Sequence, residues 1–355
     1  MKNRLKNGIA ISLIPQILLI KWLANHPVLI EKYYSEGIYP FISCFFRALL
    51  GWIPFSVGDL LYFSLFLLGA GYLYSKRRRI KMAPLSLFRD LIMILAVAYF
   101  TFHLLWGLNY YRQPITQKMG LSDTHTQKEL VMVTRRFVQK TNRLQFAITQ
   151  DTAECVNVPY SRREIFEKTV QGYKKLGKQL PFLDYNRKSI KKSLFSTALS
   201  YMGYGGYLNP FTQEAQVNGR LPKFRFPVVA GHEIGHQIGY SAEDETNLIG
   251  YLVTANSDDP YFQYTAAAYA LGYCLSEIKR RDETLFTELY DQLNPGVQKN
   301  YREMSDFWKR YENPMEPIFK GIYDSFLKAN NQEEGIQSYN SVVSLLVNYH
   351  RKNPL

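Results

Sequence analysis

Three long apolar runs in the first 110 residues constrain this chain more than any other feature. They cover roughly residues 8–24, 57–74 and 87–108, each close to the ~20 apolar residues that a bilayer core demands. A chain with three such runs near one end must put them in lipid or bury them in an unusually large core. Basic residues precede the first run, as in a secretory signal. Two further runs, and no small-residue cleavage site after Trp22, predict an uncleaved anchor instead. The segment 38–55 is also apolar, but Pro40, Arg47 and Pro54 interrupt it. It reads as an interfacial or re-entrant helix. A fourth span there would invert everything that follows.

Charge supports the membrane reading. The formal net charge is +13, a value that invites a nucleic-acid interpretation. Up to Tyr110, however, there are 12 Lys and Arg against 4 Asp and Glu, and beyond it 31 against 26. The front-loaded excess clusters at Lys2, Arg4 and Lys6 and again over Lys76–Lys81, abutting the apolar runs. Cytoplasmic flanks of spanning helices carry such clusters; a nucleic-acid surface would place them on a folded face with stacking aromatics. No nucleic-acid partner is expected. With three spans the N-terminus lies in the cytoplasm, and residues from about Asn109 lie on the other side. His103 falls inside the third run, where an interhelical hydrogen bond is its expected use. Three cysteines exclude a disulfide-dense scaffold and a four-cysteine zinc site. Cys155 and Cys274 could pair outside the cytoplasm.

The sequence thus divides into an anchor, 1–108, and a domain, 109–355, with no repeat and no low-complexity stretch. Apolar positions at helical spacing mark helices over 126–150 and 161–180, the second ended by Pro181. Residues 193–218 lose that period and carry Gly203, Gly205 and Gly206, so two or three strands with glycine turns are expected there. Helices resume at Pro227 and continue to the end. The class is α+β, helix-rich, with a small sheet before the principal motif.

That motif is His232-Glu233-Ile234-Gly235-His236, a His-Glu-x-x-His pattern. Residues four apart stack on one helical face at ~5–6 Å, so both imidazoles reach one ion. Glu233 lies about 100° round the wheel. It is badly placed to chelate with them and well placed to take a proton from water. Pro227 suits the first turn of this helix and Gly239 its end. Tyr207–Val217 is a candidate edge strand for pairing an extended peptide. By residue frequencies the five-residue pattern arises in under ~1% of chains this long. Two surface histidines beside a solvated glutamate are the bland alternative, which the apolar flanks disfavour.

A zinc site needs a third protein ligand and an open fourth position. Ser241 looks like an N-cap that starts a second helix at Ala242. Glu243, Asn247 and Tyr251 then share one stripe, while Glu245 points roughly 200° away. Gly239 permits a reversal that folds this helix back on the first. Glu243 is the favoured ligand, with Asn247 orienting a histidine; Glu245 is the alternative. Two imidazoles and a carboxylate suit Zn2+, or non-haem iron. The built-in glutamate base favours zinc.

The segment His232 to Asn247 resembles the zincin metallopeptidases, specifically the glutamate-ligand branch typified by thermolysin and by membrane-embedded CAAX-processing proteases. In that branch a Glu-x-x-x-Asp motif follows the histidine helix; here Glu243-x-x-x-Asn247 stands in its place. More of the chain is similar to the bacterial family grouped as domain of unknown function 3810. Trp106-Gly107-Leu108-Asn109-Tyr110-Tyr111-Arg112, His232 to Tyr251, Phe326 to Asn330 and Gly335 to Tyr339 carry that likeness. The resemblance implies a multi-span anchor in the bacterial cytoplasmic membrane, followed by a zincin-like domain, and brings no substrate with it. The expected activity is zinc-dependent hydrolysis of a peptide or protein substrate, with Glu233 as base and His232, His236 and Glu243 as ligands. Tyr204, Tyr207 and Tyr339 are candidate oxyanion donors. A membrane-tethered zinc-binding scaffold, or a hydrolase of a non-peptide amide, are the rival readings.

Overall fold

The computed structural model describes residues 3–77, 82–332, 335 and 338–355, with the side chains of 338–340 left aside. Among the described residues, three helices are long and apolar enough to cross a membrane: α1, Asn3–Ala24; α3, Val57–Ser75; and α4, Pro84–Leu105. The first starts five residues earlier than the apolar run suggested. The third is displaced toward the N-terminus: Pro84 opens it, and Trp106 leaves helical geometry so that Gly107–Tyr111 forms a tight 3-10 turn. Phe63, Phe66, Leu68, Phe88 and Phe100 stand exposed along these helices, as lipid-facing side chains should. At one end Asp90 of α4 ties all three together, accepting from Lys6 Nζ (3.0 Å) and Tyr72 Oη (3.1 Å). A carboxylate so near lipid is affordable only with such partners. Of the Lys76–Lys81 cluster, residues 78–81 lie outside the described residues. His103 does not bridge helices as expected: its Nδ1 bonds Tyr99 O in its own helix.

The segment 38–55 is not among the candidate spans. After a widened π-type stretch, Ile30–Ile38, it forms α2, Tyr39–Leu50. One face carries Tyr39, Ser43 and Arg47, all buried against the domain. The other exposes Phe41, Phe45, Leu49 and Trp52, with Phe41 and Trp52 each 78% exposed. Phe41, Phe45 and Leu49 are four apart and make a single apolar stripe on α2, with Trp52 just past its end.

The domain is mostly helical. α5, Gln127–Thr149, and α6, Arg162–Gly177, each open with a capping box, Thr126/Glu129 and Ser161/Glu164. α6 ends at Gly177, and Pro181 begins a short 3-10 turn. Strand β1, Ile190–Lys192, was not anticipated, and Ser196–Met202 is a helix, α7, where strand was expected. Ser196 Oγ and Ser200 Oγ bond carbonyls three and four residues back, which absorbs their polarity within a helical turn. β2, Gly206–Asn209, and β3, Glu214–Val217, follow. The order is β1-β3-β2, with β1 parallel and β2 antiparallel to β3. Only β2, not the whole of Tyr207–Val217, is therefore an edge beside the motif; β3 is central.

Glu214 of β3 pins the sheet to the membrane portion. Its buried carboxylate pairs with Lys191 and accepts from Val57 N and Gly58 N at the start of α3. A negative charge there complements the helix dipole as well as two otherwise orphan donors. Asp59, one turn in, accepts from Ser193 Oγ, Leu194 N and Tyr207 Oη.

The longer helices that follow are α8, Phe226–Gln237; α9, Glu243–Ala255; α10, Pro260–Arg281; α11, Glu283–Asp291; α12, Pro295–Lys309; α13, Glu316–Ala329; and α14, Ser338–Lys352. The main apolar core gathers Phe137, Tyr173, Ile234, Leu248, Leu271 and Leu346 from six of the helices. A separate cluster of Tyr34, Tyr39, Trp106, Tyr110 and Leu327 fills the junction with the spans. Cys155 and Cys274 are free thiols, not a disulfide.

Candidate metal centre

The motif helix α8 is buried along almost its whole length, with Pro227 in its first turn as expected. A buried helix of this kind needs its terminal carbonyls satisfied by other groups. They are satisfied largely from the membrane portion. Trp106 Nε1 donates to His236 O (3.0 Å), Tyr39 Oη (2.7 Å) and Ser43 Oγ (3.0 Å) donate to Gln237 O, and Arg112 Nη1 donates to Gly239 O (2.9 Å). Arg112 is itself held by Glu31 through two bonds, at 3.0 and 2.7 Å. The stretch Trp106–Arg112 thus cradles the end of the histidine helix.

Gly239 has φ +95°, and a Cβ there would lie 2.9 Å from the Tyr39 ring. The chain reverses at this point, and α9 runs back against α8. Their approach is very close: a Cβ on Gly250 would meet Val228 O at 2.6 Å. The second helix starts one residue later than expected, with Ala242 as its N-cap. Ser241 Oγ is spent on Asn109 O (3.0 Å). The three acidic residues Glu243, Asp244 and Glu245 occupy the first turn, where the helix dipole favours them.

This packing sets Glu243 against both histidines. Glu243 Oε2 lies 3.2 Å from His232 Nε2 and 3.6 Å from His236 Nε2. The two rings are 4.7 Å apart. Each Nδ1 is already engaged: His232 with Asn247 Oδ1 at 2.9 Å and His236 with Tyr240 O at 2.8 Å. Those acceptors fix the proton on Nδ1, so each Nε2 presents a lone pair toward the carboxylate. Asn247 Oδ1 also accepts from Tyr269 Oη (2.6 Å), and Glu243 Oε1 accepts from Tyr323 Oη (2.6 Å). Glu233 lies alongside; its carboxylate and the two imidazoles have ligand atoms within 4.8 Å of one another. Glu233 Oε2 and Glu243 Oε2 are buried without a hydrogen-bond partner.

Two lone pairs and an anionic oxygen converging in a dry site repel one another unless a proton or a cation lies among them. Electrostatics registers the same demand. Burial opposes charge on His236, but the Glu243 and Glu233 carboxylates override it and push its pKa up to about 9. Burial lowers His232. Burial would raise Glu243, yet the two histidines hold it well below the usual carboxylate range. Glu233 is pushed up to about 8, chiefly by burial. The donor set fits a divalent cation of the zinc type: two imidazole nitrogens, a carboxylate, and hydrogen bonds that orient them.

Of the two alternatives for the third position, Glu243 is the one brought to the histidines. Glu245 Oε1 accepts from Ile115 N (2.6 Å), and burial pushes this carboxylate up to about 8. Tyr251, on the same stripe as Glu243, is a turn too far and meets His350 Nε2 at 2.7 Å. Among the tyrosines, Tyr204 donates to Phe319 O (3.2 Å) and Tyr207 to Asp59, so neither hydroxyl faces the histidines. Tyr339 lies outside the described side chains. Tyr323 and Tyr269, which sequence reasoning missed, hold the Glu243 carboxylate and the Asn247 amide that meets His232. They arrive from α13 and α10, and no local pattern marks them.

The centre opens into a cavity of about 650 Å³. β2 contributes Gly206–Leu208 to its lining and Gly205, just before it, another residue, with Glu233 Oε1 close behind Gly206. The chain matches the family described as "Protein of unknown function (DUF3810)" over residues 34–347. No curated protein and no solved structure matches it. A match that takes in the spanning helices α3 and α4, the cradle and the histidine helix together covers most of the 355 residues, and the chain belongs to the DUF3810 family.

Proposed function

We propose that the protein is a membrane-anchored, zinc-dependent peptidase of zincin-like chemistry, with its catalytic domain outside the cytoplasm. One observation carries the reading: both Nε2 lone pairs and Glu243 Oε2 face one point, with each Nδ1 already committed. His232, His236 and Glu243 would hold the ion. Zinc held there lowers the pKa of water and polarises a carbonyl. Glu233 is the proton acceptor. Its raised pKa is a burial effect, which a neighbouring cation offsets by favouring the carboxylate. It can return the proton to a leaving amine. Asn247 and Tyr240 O keep the imidazoles in the tautomer that frees Nε2. The edge strand β2 lies where an extended peptide can add to the sheet.

The test is metal content and peptide hydrolysis by the full-length protein in detergent. Glu243→Ala is expected to lose zinc and Glu245→Ala to keep it. Glu233→Gln is expected to retain zinc while turnover falls by about 10²–10⁴. Zinc retained by Glu243→Ala, or full turnover by Glu233→Gln, refutes the assignment. Zinc bound stoichiometrically with no turnover of any peptide would favour the scaffold reading.

A further inference from the structure

The cavity in front of the histidines is walled partly by the membrane-crossing helices themselves. Tyr62 of α3 lines it, and at 1.5 Å per residue it sits ~7 Å along that helix from its start. Phe102 lines it from the last turn of α4, and Trp106 follows just beyond. Beside them α13 supplies Tyr323 and Phe326 to the lining. Phe326 packs against Phe102 and Tyr110, with ring centroids 6.1 and 5.9 Å apart. From this contact an exposed apolar stripe runs back along α13 through Phe326, Ile322 and Ile318 to Met315 at its N-cap, at intervals of 4, 4 and 3. A helix beside the end of a span, with one face so apolar, is suited to the lipid interface. The exposed stripe of α2 has the same character.

The apolar wall of the cavity is therefore continuous with the bilayer interface that the spans establish. A soluble hydrophilic peptide gains little from such a wall, whereas a chain leaving the bilayer passes directly along it. The edge strand distinguishes a polypeptide from an acyl chain. β2 pairs only with β3 among the described residues, so it offers backbone groups that an extended peptide can use and a hydrocarbon cannot.

We infer that the substrate is a polypeptide anchored in the same bilayer, whose juxtamembrane segment occupies this cavity with apolar side chains against Phe102, Trp106 and Phe326. This deepens the peptidase reading and rests on it. The test uses full-length Glu233→Gln protein with Phe326→benzoylphenylalanine, reconstituted in phosphatidylethanolamine–phosphatidylglycerol vesicles. One peptide sequence is offered in two forms, fused to a transmembrane helix in the same vesicles or free in solution. Photocrosslinking of the anchored form is expected to exceed that of the free form by about tenfold or more, beyond what an anchored control of scrambled, polar juxtamembrane sequence gives. Ile318→Asp with Ile322→Asp is expected to reduce that capture while zinc content holds. Equal capture of anchored and free peptide, capture of lipid alone, or no capture overturns the inference. Hydrolysis by the unsubstituted protein is read separately. Preferential capture without hydrolysis counts against the chemistry and leaves the anchored-substrate assignment standing.

Discussion

At the residue scale, the site is a set of buried groups whose charges make sense only together. His236 has a pKa raised to about 9 in the metal-free protein. Its favourable interaction with Glu243 is fully present below the unfolded value of about 6.5 and is lost as pH rises through 9. Glu233 and Glu245, both raised to about 8 by burial, work in the same direction, since ionising them between about pH 4.5 and 8 costs folded-state stability. The metal-free protein is therefore expected to lose stability, on the order of a few kcal/mol, from pH 6.5 to 9. Zinc-loaded protein should show a flatter profile, because zinc holds His236 unprotonated and favours the Glu233 carboxylate. Thermal unfolding in detergent at both pH values, with and without chelator, measures the difference. A second residue-level expectation concerns the groups behind the ligands. Asn247→Ala frees the His232 ring and removes the acceptor for Tyr269, and Tyr323→Phe removes the donor to Glu243. Each is expected to weaken zinc binding about 10–100-fold, measured by competition with a chromogenic chelator.

At the element scale, two helices packed closer than ordinary side chains allow bring Glu243 to the two histidines. Gly250→Ala places a Cβ 2.6 Å from the position of Val228 O, and backbone cannot yield as a flexible side chain would. The expected cost is about 1–3 kcal/mol, accompanied by weaker zinc binding as Glu243 is pushed away. Denaturation midpoint and metal titration on the same preparation test both. This scale also separates what the sequence declares from what it hides. The pairing of the histidines on one face, and the turning of Glu243 rather than Glu245 toward them, follow from helical periodicity, which is local, and the reversal at Gly239 from a glycine at a helix end. Ser196–Met202 escaped because serines bonding their own helix look, in sequence, like turn formers. Tyr323 and Tyr269 escaped because they reach the site across 80 and 22 residues, and only tertiary packing specifies such partners.

At the scale of the whole molecule, the spans and the domain form one interlocked body. The sequence announces the three spans through length and hydropathy. It does not announce that α2 lays Tyr39, Ser43 and Arg47 on the domain, because their partners, Gln237 O and Arg187 O among them, lie 140 residues or more away. The Glu31–Arg112 pair is buried on both sides, at 6% and 5% exposure. Arg112→Ala leaves Glu31 with Lys118 as its remaining cation and removes a donor from Gly239 O. A destabilisation of about 1–3 kcal/mol is expected, with zinc loss preceding global unfolding in a thermal melt followed by metal release.

The carbonyls at the end of the histidine helix find their partners in Trp106, Tyr39, Ser43 and Arg112, three of which precede residue 108. Severing the polypeptide between α4 and the domain would leave that helix frayed at the turn that carries His236. On the peptidase reading proposed above, cutting the domain free would silence it, and its action would be confined to wherever its own anchor takes it.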